Sequence, residues 1–451
     1  MISYKHISNY FNYENSFVKN IQDTIENSFF ILRTFLICLE YGILYIINYN
    51  PTLRFENFIK QLASLNIFYV KIFQAISTNK FILNKDQMKY ISKYTDDVPF
   101  TNDDIDISFE TSINKTASRL SDTFEVNKHG EYLIPCKSGM IALIYNGKLN
   151  GEKVIIKVLR KNIKKRLEYA LKRIDFICNL LGLIPCINSF NFQQIIQENK
   201  EILLDQTNFK KEIGNIEKMY KNCLTTDYVR IPKAYPEYTN DNDSVIVMEY
   251  LNGVKFDEIN VHDKKIYCKQ LANYSIKCIL YNRLYHADLH PGNILFLKEN
   301  EKHKIGIIDY GIMGELTRTE QDYYFKLLST LAKTSDYQDV IDIFLTHLVE
   351  PKTQISSMSQ KEYKRLNSDL ASILSGKKNN NITASELYKI NAILNKYKLI
   401  LSKNFCKVQL CMAVSDSVIS ELSCNNATYM DHIKETMLSA FEILDSSDGS
   451  I

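Results

Sequence analysis

Two polar residues five positions apart across a proline–glycine turn, with an aspartate sixteen further on, constrain this chain more than anything else in it. The stretch is Tyr285 to Phe296, YHADLHPGNILF, followed by IIDYG at 307–311. Pro291-Gly292 bends the chain between Asp288 and Asn293, so a carboxylate and an amide can be aimed at one point. Such a carboxylate can accept a hydroxyl proton, and such an amide oxygen can bind Mg²⁺. Asp309, between an apolar run and a glycine, can take a second metal position and bridge it to nucleotide phosphates. Each residue alone reads as a turn or capping residue. Chance rarely produces all of them in the order HxDxxxxN then DxG.

Metal–nucleotide chemistry also needs an earlier lysine on a strand to hold phosphates, fixed by a carboxylate. VIIKV supplies Lys157 at the end of an apolar run. Glu212, in the helical FKKEIGNIEKM, is its candidate partner. Taken singly, the first is a strand-end lysine facing water and the second a solvated helix glutamate. Their order before VMEYLNG at 247–253, then Asp288 and Asp309, favours the functional reading. In that reading Met248 lines an adenine pocket, and the backbone of Glu249-Tyr250-Leu251 meets the adenine edge.

Composition narrows the partners. Hydrophobic residues are 45% and charged residues 24% of the 451, which excludes a disordered, collagen-like or polytopic membrane chain. The formal charge is +3, too balanced for a nucleic-acid binder. Ten cysteines without a CxxC pair fit reduced thiols in an intracellular, reducing compartment. The N-terminus lacks the signal-peptide pattern, so secretion is not expected. Phe29 to Asn48 approaches bilayer length, but Arg33 and Glu40 each cost about 2.5–3.5 kcal/mol near a membrane centre. A packed amphipathic helix is expected there, or interfacial membrane contact, and not a span.

Residues 1–94 read as a helical extension, because apolar positions recur at three and four. Residues 95–121 read as an acidic linker, with Asn102 or Asp103 capping a short helix after it. Residues 122–250 form a β-rich lobe, with hairpin signals at Asn146-Gly147 and Asn150-Gly151. Residues 251–445 form a helical lobe, interrupted by SGKKNNNITASE, where Thr383 and Glu386 are spaced as a capping box. Residues 446–451 are a tail. The basic run Arg160, Lys161, Lys164, Lys165, Arg166, Lys172 and Arg173 reads as a solvated helix face, with attraction to anionic lipid as its functional alternative.

In this order the residues resemble the UbiB/AarF (ADCK-type) family of atypical protein-kinase-like proteins. VKIFQAIS at 70–77 is similar to the family's KxGQ segment, TDDVPF at 95–100 to DDVPP, and VIIKVLRKN to VAVKVQRPG. FKKEIGN resembles FRREAAN, VIVMEYLNG resembles VLVMEYIDG, and HADLHPGNIL with IDYG matches closely. IPCKSGMIALIY at 134–145 stands where the family has an alanine-rich nucleotide loop. The resemblance implies an α+β, bilobal protein-kinase-like fold, with a small β-rich N-lobe, a large helical C-lobe and an N-terminal helical extension. It implies ATP and Mg²⁺ as cofactors, with Asp288, Lys157 and Glu212 in catalysis and Asn293 and Asp309 on metal. Pro135, Lys137, Ser138, Gly139, Met140, Met248, Glu249 and Leu251 would hold nucleotide, and Lys71 and Gln74 would regulate.

Three departures stand out. Phe73 replaces the glycine of KxGQ, Gln206-Thr207-Asn208 replaces the acidic ExD, and Lys137-Ser138-Gly139 replaces three alanines. In that loop the Ser138 hydroxyl, the Gly139 backbone and the Lys137 charge are expected to face phosphate. The activity expected is a UbiB-type kinase or ATPase acting in a lipid or quinone pathway, or on another small molecule. The chain runs from IDYG into helix with no APE-like anchor for peptides. The alternatives are a nucleotide-binding pseudokinase scaffold, or a phosphotransferase of the aminoglycoside or choline kinase type.

Overall fold

The computed structural model describes residues 4–76, 83–128, 130, 132–181, 200–333, 338–374, 384–423, 431, 432 and 435. The polar loop from 375 to 383 and the tail at 446–451 lie outside them. The chain forms two compact units, one of residues 1–210 with 235–247, the other of residues 211–234 with 248–451. This division differs from the boundaries drawn on the sequence. The N-terminal helices share a unit with the small sheet, and the helix Phe209–Cys223 joins the second unit from Lys211 onward.

In the first unit, helices Tyr4–Ile46, Pro51–Leu65, Ile67–Ile76 and Lys85–Asp96 come first. The second of them starts where Asn50 accepts the Thr52 and Leu53 N–H groups at 3.1 and 3.2 Å, with Pro51 in its first turn. Asn66 ends it: its side chain accepts the Phe68 N–H at 2.8 Å and donates to the Ala170 carbonyl at 3.3 Å. Phe73, the residue in place of a family glycine, is 3% exposed and meets the Tyr94 ring edge-on at 5.8 Å. Its side chain fills a core that a glycine would leave open.

The acidic segment is more ordered than a linker. It holds the 3₁₀ turn Asn102–Asp104 and the helix Ser108–Leu120. The capping side chains are Asp104, which accepts the Thr101 N–H at 2.9 Å, and Asp106, which accepts the Ser108 N–H at 3.0 Å. Asn102 and Asp103 do not take that role.

The sheet has the order β1 (Phe124–Val126), β3 (Ala142–Leu149), β4 (Glu152–Leu159), β6 (Val245–Glu249), with β2 (Lys137–Ser138) also on β3. The β3–β4 hairpin closes through Leu149 opposite Glu152, with Asn150 and Gly151 at φ 51° and 83°. Both values are left-handed, as a tight hairpin turn requires. Asn146-Gly147 makes no turn. It lies inside β3, where β1 approaches so closely that a Cβ on Gly147 would sit 2.7 Å from the Glu125 carbonyl.

Arg160 departs from the solvated basic face expected of its run. It is 3% exposed. Its guanidinium donates to the Val98, Pro99 and Gly139 carbonyls, to the Ser138 hydroxyl and to the Asp104 carboxylate, at 2.8–3.2 Å. Arg166 pairs with the other oxygen of Asp104. Lys161, Lys164, Lys165 and Lys172 are exposed.

The second unit is built on the antiparallel hairpin β8 (Ile294–Glu299) and β9 (Lys302–Ile307), with β5 (Val229–Arg230) parallel to β9. A short pair, β7 (Leu284–His286) and β10 (Met313–Glu315), lies alongside it in sequence. The helix Lys264–Lys277 packs on Lys403–Leu422, where the Ser275 and Ser415 hydroxyls meet at 3.2 Å. Helices Arg318–Lys333, Gln338–His347, Lys352–Ser357, Gln360–Leu374 and Ala384–Lys396 also belong to the helical part. One small strand pair, Val349–Glu350 with Ile400–Leu401, interrupts what the sequence suggests is wholly helical.

Candidate functional site

The second unit gathers Asp288, Asn293 and Asp309 through hydrogen bonds that the local chain makes to itself. β7 ends at His286, and the turn Ala287–His290 leads into the 3₁₀ turn Pro291–Asn293 and then β8. β9 delivers Asp309 two residues past its last residue, Ile307. His286 bridges the two segments. Its Nε2 donates to the Asp309 carbonyl, and its Nδ1 accepts the Asp288 N–H at 3.1 Å.

That arrangement requires one proton on the imidazole, held at Nε2. His286 is 2% exposed, and burial pushes its pKa down, although the Asp288 and Asp309 charges pull the other way. The ring is therefore a neutral brace. Its own carbonyl accepts from the Cys411 thiol at 3.0 Å, and burial raises that thiol to about 12. Cys411 is an inert core donor.

Asn293 is 8% exposed, and its Nδ2 donates to the Asp288 carbonyl at 2.9 Å. The amide oxygen is thereby turned away from that bond and kept as an acceptor. The Asn293 carbonyl accepts from Ile308 N–H at 3.1 Å, which ties the turn to the strand that carries Asp309. Asp309 Oδ1 accepts the Gly311 N–H at 2.9 Å, which orients its carboxylate at the end of the β9 segment. The Asp288 side chain is 31% exposed, and His290 Nε2 lies 4.0 Å from its carboxylate. A carboxylate and an amide oxygen are hard donors of the kind Mg²⁺ takes alongside phosphate oxygens and water. No group of three or more His, Cys, Asp or Glu able to hold a metal occurs among the described residues. A cation here would draw its remaining ligands from phosphate and water.

Two residues that the sequence reading passed over hold this site. His286 is one, readable only as the first letter of HxD. The other is Asn215, on Phe209–Cys223, whose Nδ2 donates to the Tyr310 carbonyl at 3.0 Å and fixes the chain just after Asp309. Tyr310 is fully buried, with its hydroxyl on the Ile307 carbonyl at 3.1 Å. Gly314 is required where it stands: a Cβ there would fall 2.1 Å from Tyr285 Cζ, inside the β7–β10 pair. Glu212 is 3% exposed in the first turn of the same helix as Asn215.

Met248 and Leu251, at 6% and 5% exposure, line the second unit's start. The N–H of Glu249 donates to the Lys233 carbonyl at 2.8 Å, and its carboxylate takes Arg230 and the Lys233 N–H. Of the hinge groups named from sequence, that N–H is therefore engaged inside its own unit.

In the first unit, Lys157 stands on β4 opposite Ile144 and is 9% exposed, with its ammonium 5.5 Å from the Phe209 ring centroid. The loop before β3 departs from the expected cradle. The Ser138 hydroxyl is 1% exposed and donates to the Val98 carbonyl at 2.7 Å while accepting from Arg160. The Gly139 N–H donates to the Ala142 carbonyl at 2.9 Å, and its carbonyl accepts from Arg160. Neither group faces a phosphate, because both are committed to closing the loop on its own unit. Met140 is buried in the helical core, and Pro135 and Lys137 are half-buried. Lys71 is half-buried on Ile67–Ile76, and the side chain of Gln74 lies outside the described residues.

The profile of the ABC1 atypical kinase-like domain matches residues 94–344, more than half of the chain and all the residues just described except Lys71, Gln74 and Cys411. The chain belongs to this ABC1 kinase-like family. "Probable protein kinase UbiB" of Aeromonas salmonicida is 26% identical over 270 residues, covering 58% of this chain and 48% of that protein. "Protein ACTIVITY OF BC1 COMPLEX KINASE 8, chloroplastic" of Arabidopsis thaliana is 27% identical over 258 residues, covering 55% of this chain and 33% of that one. The chain thus spans about half the length of the bacterial relatives it matches, and less of the plant one. Among solved structures, the complex of Rv3197 with erythromycin from Mycobacterium tuberculosis aligns with a TM-score of 0.46 at 15% identity, over 74% of this chain and 88% of that one. Membership makes the α+β, two-lobed kinase-like fold that of this chain, and the UbiB/AarF resemblance read from its motifs holds.

Proposed function

We propose that this ABC1 kinase-like chain binds ATP with Mg²⁺ and transfers or hydrolyses its terminal phosphoryl group. The observation that carries the reading is the His286 brace, which aims Asp288 and Asn293 and fixes the backbone of Asp309. Asn293 Oδ1 and the Asp309 carboxylate would hold Mg²⁺, which supplies charge stabilisation at the phosphates. Asp288, whose side chain is 31% exposed, takes the proton of an attacking hydroxyl or orients water. Lys157 neutralises phosphate charge.

The acceptor is a lipid, a quinone-pathway intermediate or another small molecule, and not a peptide. After Asp309 the chain returns at once into β10, paired residue for residue with β7, and Leu316 N–H donates to the Arg283 carbonyl at 2.7 Å before the helix Arg318–Lys333 begins. Little of that segment is left to dock an extended substrate. An intracellular reducing compartment suits the buried thiols.

A nucleotide-binding scaffold with little turnover is favoured by one observation, the inward commitment of Ser138 and Gly139. Thermal unfolding with and without ATP–Mg²⁺ tests both readings when run beside phosphate release. Nucleotide at about 100-fold its dissociation constant stabilises by roughly 2.7 kcal/mol. The wild type should show that shift, and Asp309→Asn or chelation should remove it. A shift without phosphate release would make the scaffold the better account. No shift at millimolar ATP would sink the nucleotide reading altogether.

A further inference from the structure

The first helix, Tyr4–Ile46, has an apolar seam that no described residue of its own unit covers. Its inward side is already used: Phe30 is buried, Ile37 packs on the helical core, and the Tyr41 ring lies 4.5 Å from that of Phe58. On the opposite side Phe29, Leu32, Leu36, Leu39, Ile43 and Ile46 are each 45–82% exposed. Their spacing alternates three and four without a break, which is the a/d seam of a coiled coil rather than the broader face of a core helix.

The flanks of the seam say what covers it. Arg33 and Glu40 occupy the same flanking position, e, one heptad apart. Arg33 makes no hydrogen bond or ion pair among the described residues, and Glu40 accepts from Gln61 at 3.2 Å. The other flanking position, g, holds Ser28, Phe35 and Gly42. In a parallel pair e faces g, which would set both charges against uncharged residues. In an antiparallel pair e faces e and g faces g. Arg33 then meets Glu40 of the second copy, and by symmetry Glu40 meets Arg33. Phe35 then meets Gly42, where a Cβ would have nothing within 4 Å, so the ring has room.

We propose that this chain pairs with a second copy of itself through Tyr4–Ile46 as an antiparallel coiled coil. Leu36 packs on Leu39, Leu32 on Ile43 and Phe29 on Ile46, each contact made twice. A lipid surface fits less well. The stretch Thr24–Ile46 is long and apolar enough to cross a membrane by length and composition. Helices that lie on membranes, however, carry a basic flank, and this flank has one arginine cancelled by one glutamate.

The test is sedimentation velocity of the full chain across micromolar concentrations. The wild type should dimerise, and Leu36→Glu should remain monomeric. Arg33→Glu and Glu40→Arg should each weaken the dimer by about fivefold, because each breaks two exposed ion pairs. The double swap should restore it, which keeps the proposal testable even if Leu36→Glu fails to fold. A monomeric wild type would overturn the pairing. So would a double swap no tighter than either single variant, since only the antiparallel register couples these two residues. A monomeric wild type that sediments with phosphatidylglycerol vesicles would assign the seam to lipid instead.

Discussion

Arg160 stands first in a basic run, yet it is buried among carbonyls, a hydroxyl and a carboxylate. Five acceptors surround it, and all belong to segments that would otherwise be loose: Val98-Pro99, Asp104 and Ser138-Gly139. Removing the guanidinium leaves Asp104 to Arg166 alone and takes the donor from the Val98, Pro99 and Gly139 carbonyls, at about 1–3 kcal/mol. Arg160→Met should therefore lower the stability of the first unit by about that much in urea unfolding. A loss under about 1 kcal/mol would mean the guanidinium is replaceable by water. The same pair sets an acid limb. Burial alone would raise the Asp104 carboxyl, but the Thr101 N–H and the Arg166 and Arg160 guanidiniums outweigh it and hold its pKa below the ordinary value. A carboxyl depressed in the folded state contributes stability above its unfolded value of about 3.9 and loses it as pH falls through the folded one. Asp104→Asn should flatten the stability–pH curve below about pH 4 as well as lowering it at neutral pH. An unchanged acid limb would show that other carboxyls set it.

One helix, Phe209–Cys223, carries the bond that fixes the turn after Asp309. Asn215→Leu would leave the Tyr310 carbonyl buried without its donor, at about 1–3 kcal/mol. Since Asp309 immediately precedes Tyr310, the shift in melting temperature with ATP–Mg²⁺ should shrink as well. A stable variant with a full shift would show that Asn215 only packs. Elements with short-range logic were legible in the sequence. Asp288, His286 and Asn293 bond one another within a few residues, and the strand hairpin returns Asp309 from a short distance. Elements whose meaning depends on distant chain were not. Asn146-Gly147 and Asn150-Gly151 read alike, and only the presence of β1 beside Gly147 makes one a strand and the other a turn. Arg160 reaches back 62 residues to Val98, and Ser138 reaches 40, so neither commitment leaves a local trace. Phe73 could be seen to break a motif, but not to fill a core.

At the scale of the molecule, the proposed function assigns roles to residues in both compact units, Lys157 in the first and Asp288, Asn293 and Asp309 in the second. Each unit has its own core and its own local openings, so ligand binding can be followed in each separately. A ligand that draws on both sets of residues must restrain both. Backbone hydrogen exchange on the full chain, with and without ATP–Mg²⁺, reads this directly. At about 100-fold the dissociation constant, amides whose exchange requires release of the ligand should slow by about 100-fold. That slowing is expected in β3 and β4 around Lys157 as well as from His286 to Gly311. Asp309→Asn should abolish it wherever it depends on metal-bound nucleotide. Slowing confined to the second unit would keep Asn293 and Asp309 as the metal site but remove Lys157 from phosphate binding. Slowing confined to the first would do the reverse, and would leave the His286 brace as a structural device of the fold.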